Sequence, residues 1–120
     1  MRAGLAVLAQ HVERFNQGVR SGDFTPMIER FTDDAELVFE GIPVGPFHGR
    51  DAIAAAYREK PPDDEIDLLD TQEAGEGRVV ATYGWRGRPG VPAGGMELLT
   101  REDRIARLVI RYGDDGRSVS

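Results

Sequence analysis

Apolar residues Leu5, Leu8, Val12, Phe15 and Val19 recur at spacings of three and four, while Gln10, Glu13, Arg14 and Gln17 fall between them. That period predicts an amphipathic helix over residues 4 to 20, with Ser21-Gly22 as its stop. Thr25-Pro26 then sets a capping hydroxyl ahead of a proline suited to a first helical position. Met27, Ile28 and Phe31 supply the buried stripe of this short second helix, which Thr32-Asp33-Asp34 ends. Residues 35 to 40 read as a strand running into the irregular segment Gly41 to His48, which Pro43, Gly45 and Pro46 keep out of a ladder. A third helix is predicted over Asp51 to Glu59: Ile53 and Tyr57 share one face, and Pro61-Pro62 forbids continuation.

The second half changes to β-rich runs: Glu65 to Glu73, Arg78 to Gly87, Met96 to Arg101 and Arg104 to Tyr112. Gly75-Glu76-Gly77, a Gly/Pro loop at 87 to 95 and Glu102-Asp103 separate them, which predicts a meander of long antiparallel strands. Alternation puts Val79, Ala81, Tyr83 and Trp85 on one face of their strand, opposite Val80, Thr82, Gly84 and Arg86. It likewise sets Ala106, Leu108, Ile110 and Tyr112 against Arg107, Val109 and Arg111. Three helices and a curved sheet make an α+β domain in which helices close only one face of the sheet. A strongly bent sheet wrapped round the long first helix leaves a cone whose mouth suits a small molecule.

Composition narrows the function classes. At 120 residues the chain is one domain able to bury about two-thirds of its unfolded surface without staples, and it has no cysteine to form a disulfide or a thiolate metal site. Lys+Arg 15 against Asp+Glu 21, net charge -6, offers no field for nucleic acid or anionic lipid. The N-terminal apolar run Leu5 to Ala9 is far short of the ~18 residues of a membrane span, so a cytoplasmic soluble protein is expected. His11, off the apolar stripe, reads as solvated; His48, just before the third helix, reads as a capping or surface residue or as one that approaches the mouth of the cone. Two histidines so far apart, without carboxylates at ligand spacing, make no metal site. The loop at 87 to 95 lacks the context of a phosphate loop, and no cofactor is expected. Asp63-Asp64-Glu65 and Asp114-Asp115 read as solvated faces. Gly113 to Ser120 has no apolar anchor, so the domain is expected over 1–113 with 114–120 as a flexible tail.

The order of elements, with Val12-Glu13-Arg14-Phe15, Ser21-Gly22-Asp23, Arg30-Phe31-Thr32-Asp33-Asp34-Ala35, Gly49-Arg50-Asp51-Ala52-Ile53 and Tyr57, resembles a known family. It is the SnoaL-like and ketosteroid-isomerase-like branch of the nuclear transport factor two-like superfamily. The resemblance implies a cone-shaped, cystatin-like α+β barrel with a curved antiparallel or mixed sheet, a hydrophobic pocket for a small molecule, and a homodimer. It says little about chemistry, because this fold hosts isomerases, cyclases, hydrolases and non-enzymes.

Ketosteroid isomerases of that branch use an Asp base, an oxyanion-hole Tyr and a protonated Asp beside it. Carried over, the tyrosine falls on Phe15, and the second acid on or beside Met96, with Glu97 next to it but on the opposite face. Counting forward from Asp33-Asp34-Ala35 puts Phe39 at the base position, whereas counting back from Pro46 and Gly49 puts Glu40 there. Glu40 keeps a carboxylate and is preferred, although it requires one extra residue in the strand, such as a bulge. The family's third-helix tyrosine matches Tyr57. The resemblance therefore implies Glu40 as base and Tyr57 as donor in a pocket with Phe15, Phe31, Phe39, Tyr83, Trp85 and Met96.

Against this stand plainer readings: Glu40 as a solvated strand end, Tyr57 as a core tyrosine, and Tyr83 and Trp85 as ordinary core or dimer-face aromatics. Three function classes follow: an enzyme abstracting a proton next to a carbonyl of a polyketide-like or steroid-like compound, a binder of such a compound without turnover, and an interaction domain built on its dimer. Phe15 and Met96 cannot donate hydrogen bonds, so little ketosteroid isomerase activity is expected, and any activity should depend on Glu40 more than on either histidine. The dimer is expected through the outer side of the long strands, where Val80 and Val109 lie among Thr82, Arg107 and Arg111.

Overall fold

The computed structural model of the chain describes residues 3–112, so the expected tail from Gly113 onward and the side chain of Tyr112 lie outside the described residues. The elements are α1 (Ala3–Ser21), α2 (Thr25–Ile28), β1 (Phe31–Glu40), β2 (Phe47–His48), α3 (Arg50–Glu59), β3 (Ile66–Gly75), β4 (Arg78–Trp85), β5 (Gly94–Arg101) and β6 (Arg104–Tyr112). Helix α1 ends where the pattern puts its stop: Gly22 takes φ +83° and its N–H donates to the Gly18 carbonyl at 2.7 Å. Gly18 also lets α1 approach α2, since a methyl there would overlap the buried Phe24 ring.

Helix α2 departs from expectation at both ends. Thr25 is its first residue rather than its cap, and its N–H donates to the Asp23 carboxylate at 3.0 Å. The helix closes at Ile28, and Phe31 to Asp34, expected as helix and helix stop, belong to β1. Pairing with β6 decides this: Phe31 registers with Ile105, whose N–H donates to the Arg30 carbonyl at 2.9 Å. Asp33 and Asp34 are exposed there and pair with Arg50 and Arg101. The segment expected to stay irregular up to His48 includes the two-residue strand β2, which begins just after Pro46 and pairs with Glu36 and Leu37.

The six strands form one mixed, curved sheet in the order β2-β1-β6-β5-β4-β3. Only β1 and β6 run parallel; the other neighbours are antiparallel. Strands β2 and β3 are free edges, so the sheet curves without closing. Helix α1 packs on β3, β4 and β5, α3 on β1 and β2, and α2 bridges the two helices. Asn16, buried on α1, clamps β3 with two backbone bonds: its Nδ2 donates to the Ile66 carbonyl at 3.0 Å, and its Oδ1 accepts from the Ile66 N–H at 2.8 Å.

Strand alternation in β4 is as the pattern implies, with Val79, Ala81 and Tyr83 buried and Trp85 half-buried. Strand β6 differs. Leu99 pairs with Arg107 but Thr100 with Ile105, so Ala106 is an extra residue and Ile105 turns into the core. On the outer face Glu36 pairs with Arg107, Glu40 with Arg111, and Glu97 with both Arg78 and Arg111. Val109, expected as open surface, registers between Val38 and Glu97 within this lattice and is already 1% exposed. Among the described residues no helix is long and apolar enough to cross a membrane.

Candidate functional site

A cavity of about 450 Å³ opens between α1, α3 and the helix-facing side of the sheet. Its inner wall is built by Phe15 from α1, Phe39 from β1, Tyr83 and Trp85 from β4, Met96 from β5 and Ile110 from β6. Tyr57 enters from α3 because Ile53, one turn earlier, anchors that face in the core. The rings brace one another: Tyr83 meets Trp85 edge-on at 5.8 Å, Phe39 meets Phe47 edge-on at 6.2 Å, and Phe24 tilts against Tyr57 at 5.2 Å. At the mouth stand Ile42 and Val44, each 39% exposed, from the β1–β2 loop, with Glu59, Lys60 and Pro62 from the end of α3. The wall is thus mostly apolar, and its formal charges, Glu59 and Lys60, are exposed residues.

Phe15, Phe39, Tyr57, Tyr83, Trp85 and Met96 border one cavity. Phe31 does not. It is fully buried in the core behind the cavity wall, with its ring against His11. Glu40 does not either: it is exposed on the outer face, where its Oε1 accepts from Arg111 Nε at 2.8 Å. The register from Glu36↔Arg107 to Glu40↔Arg111 runs one to one, so Glu40 shares the side of Glu36 and Val38, while Leu37 and Phe39 point inward. A bulge within this stretch would be needed to turn Glu40 inward, and the irregularity of β1 falls earlier, between Phe31 and Glu36. The base role assigned to Glu40 thus fails on geometry, and Phe39 holds the inward position. Glu97, next to Met96, is likewise outside, where the Arg78 guanidinium holds its carboxyl below the usual range against the opposing effect of burial, with Arg111 adding to it.

The polar group that the pattern missed is His11. It is 3% exposed rather than solvated, borders the cavity, and stands edge-on to Phe31 at 5.8 Å between ring centres. Its Nδ1 is sealed from solvent and has no hydrogen-bond partner among the described residues. Burial alone lowers its pKa from 6.5 to about 4, because the low-dielectric surroundings disfavour the imidazolium, so the ring is neutral at pH 7. A buried polar atom without a partner costs about 1–3 kcal/mol. Its position was legible in one respect: Val7, His11 and Phe15 lie at i, i+4 and i+8, and both neighbours are buried. His48 is 70% exposed at its side chain, with Nε2 4.0 Å from Glu36 on the outer face. Among the described residues no three His, Asp or Glu side chains gather as metal ligands.

The helix-lined, curved sheet and its cone can be compared with known proteins. A family model described as a SnoaL-like domain matches residues 12–117. The chain belongs to the SnoaL-like family. Solved structures similar to this SnoaL-like domain include an NTF2-like protein from Anabaena variabilis, at 20% identity and TM-score 0.69, covering 99% of this chain and 96% of that one. A putative ketosteroid isomerase from Kribbella flavida is 11% identical with TM-score 0.75, covering 98% and 82%. SalBIII, an epoxide hydrolase/cyclase-like enzyme in pyran ring formation in the polyether salinomycin, is 15% identical with TM-score 0.73, covering 92% and 90%. At these identities the likeness shows a shared fold alone. A search of curated proteins finds no match.

Proposed function

We infer that this SnoaL-like domain binds a neutral, largely apolar ring compound, of the polyketide-like or steroid-like class, in its cone. The observation that carries the reading is the cavity itself: about 450 Å³, walled by Phe15, Phe39, Tyr57, Tyr83, Trp85 and Met96. That volume falls within the range of ligand sites, roughly 300–1,000 Å³, and aromatic walls supply the buried area on which such binding depends. Binding is favoured over fast proton abstraction because no buried carboxylate borders the cavity among the described residues. His11, with its pKa lowered to about 4, is a weak base at neutral pH. The test is mass spectrometry of small molecules extracted from the purified protein, joined to titration of Trp85 fluorescence with apolar ring compounds. Trp85 is the chain's single tryptophan and lines the cavity, so a change in emission reports a ring bound there. Absence of any extracted compound, together with unchanged Trp85 emission across the series, overturns the reading.

The same reading includes a homodimer through the outer face of the sheet. There Val38, Val80 and Leu99 are half-buried among side chains whose charges are already paired within one chain, so a second copy meets a largely neutralised surface. Light scattering in solution should give twice the 13.2 kDa chain mass, and a monomer at micromolar concentration would refute the pairing.

A further inference from the structure

Resting on the cone as a ligand site, the geometry points to His11 as its hydrogen-bond donor: the imidazole gives its Nε2–H to the carbonyl oxygen of a ketone or quinone carried on an apolar ring system. His11 lies on the cavity wall, nine-tenths or more buried, and its sealed Nδ1 has no partner among the described residues. A neutral imidazole carries one N–H and one bare nitrogen. A sealed N–H without an acceptor is the costlier arrangement, so Nδ1 is assigned as the bare nitrogen and Nε2 as the carrier of the proton. Nε2, across Cε1 from Nδ1, is not among the sealed atoms, and on a ring that lines the cavity it is the nitrogen a ligand oxygen can reach.

The neighbouring chemistry selects the ligand. The lining is mostly aromatic and aliphatic, its hydroxyls belong to Tyr57 and Tyr83, and the formal charges Glu59 and Lys60 belong to the exposed end of α3 and its loop. An anionic headgroup held against a neutral imidazole would lose its hydration without gaining a counter-charge. A neutral acceptor oxygen satisfies the donor and leaves the rest of the ligand to the aromatic wall. Because the ring stays uncharged at pH 7, it recognises a carbonyl by a single directed bond.

Calorimetry with the full chain at pH 7 tests this with three probes of one shape: 2-acetylnaphthalene, 2-isopropenylnaphthalene, in which a CH₂ replaces the carbonyl oxygen, and 2-naphthoate. The ketone should bind about tenfold more tightly than the alkene, the scale of one neutral hydrogen bond, and more tightly than the carboxylate. His11→Phe should bind ketone and alkene alike. If alkene and ketone bind equally to the unaltered protein, if the preference survives in His11→Phe, or if naphthoate binds best, the His11 assignment is overturned while the cone remains a ligand site. If none of the probes binds, the ligand-site reading falls and the assignment falls with it. Long-range ¹H–¹⁵N spectra of the unaltered protein give a check that needs no variant, because only His11 and exposed His48 contribute. Nε2 should carry the proton and shift on adding the ketone; a protonated Nδ1 overturns the assignment.

Discussion

Acidification from pH 7.5 to pH 5 should destabilise this protein through His11. The folded ring has a pKa of about 4 against the ordinary 6.5 of an unfolded chain, so between those values the unfolded chain takes up a proton that the folded chain refuses. Stability from this group is complete above pH 6.5 and is lost as pH falls towards 4. With 1.36 kcal/mol per pKa unit, the full effect is about 3 kcal/mol, of which about 2 kcal/mol is gone at pH 5. For a domain of this size that corresponds to a fall in Tm of roughly 8 °C. The ring is buried against Phe31, and the charged residues of the cavity lining are Glu59 and Lys60 at its exposed rim.

The measurement is urea unfolding of the native chain and of His11→Phe at pH 7.5, 6 and 5. Subtracting the variant removes contributions common to both, including those of Asp34 and Glu97, whose carboxyls are held below their ordinary range chiefly by hydrogen bonds from Arg101 and Arg78. The native chain should lose about 2 kcal/mol more than the variant between pH 7.5 and 5. Parallel losses in the two proteins would show that His11 is solvated or already protonated in the fold, and would refute the reasoning.

Asn16→Leu should cost about 2–4 kcal/mol in urea unfolding, because it leaves the Ile66 N–H and carbonyl without partners; a loss below about 0.5 kcal/mol would mean that water replaces both bonds. Glu40→Gln should leave ligand binding within about twofold and change stability by at most about 1 kcal/mol, as expected of an exposed ion pair. Loss of binding in that variant, with an intact fold by circular dichroism, would return Glu40 to the site.

Elements with a repeating local signal were legible from the chain. The apolar stripe of α1, the Ile53/Tyr57 face of α3 and the alternation of β4 each carry their own period, and the structure keeps all three. What was not legible depends on partners distant in sequence. Phe31 to Asp34 look like the end of a helix until β6 lies beside them, and Ile105 faces the core only because Ala106 is bulged against β5. Neither register is written in the segment that obeys it.

The site turned on two cases of parity. Family spacing left Phe39 and Glu40 both open, and a one-residue shift moves a strand's side chains to the opposite face. The buried Leu37 settles it, since a strand unbroken from Glu36 to Glu40 must put Phe39 with Leu37 and Glu40 with the arginines of β6. On α1 the error ran the other way. A stripe drawn through Leu5, Leu8, Val12, Phe15 and Val19 leaves His11 at its edge, yet at about 100° per residue His11 falls only about 40° from both Val7 and Phe15. Val7 is buried too, so the stripe is wide enough to take the imidazole in. The two corrections act together on the chemistry. A carboxylate leaves the cavity wall and a buried, uncharged imidazole enters it, exchanging a group that only accepts hydrogen bonds for one that also carries an N–H. That exchange favours holding a carbonyl compound in place over drawing a proton from it.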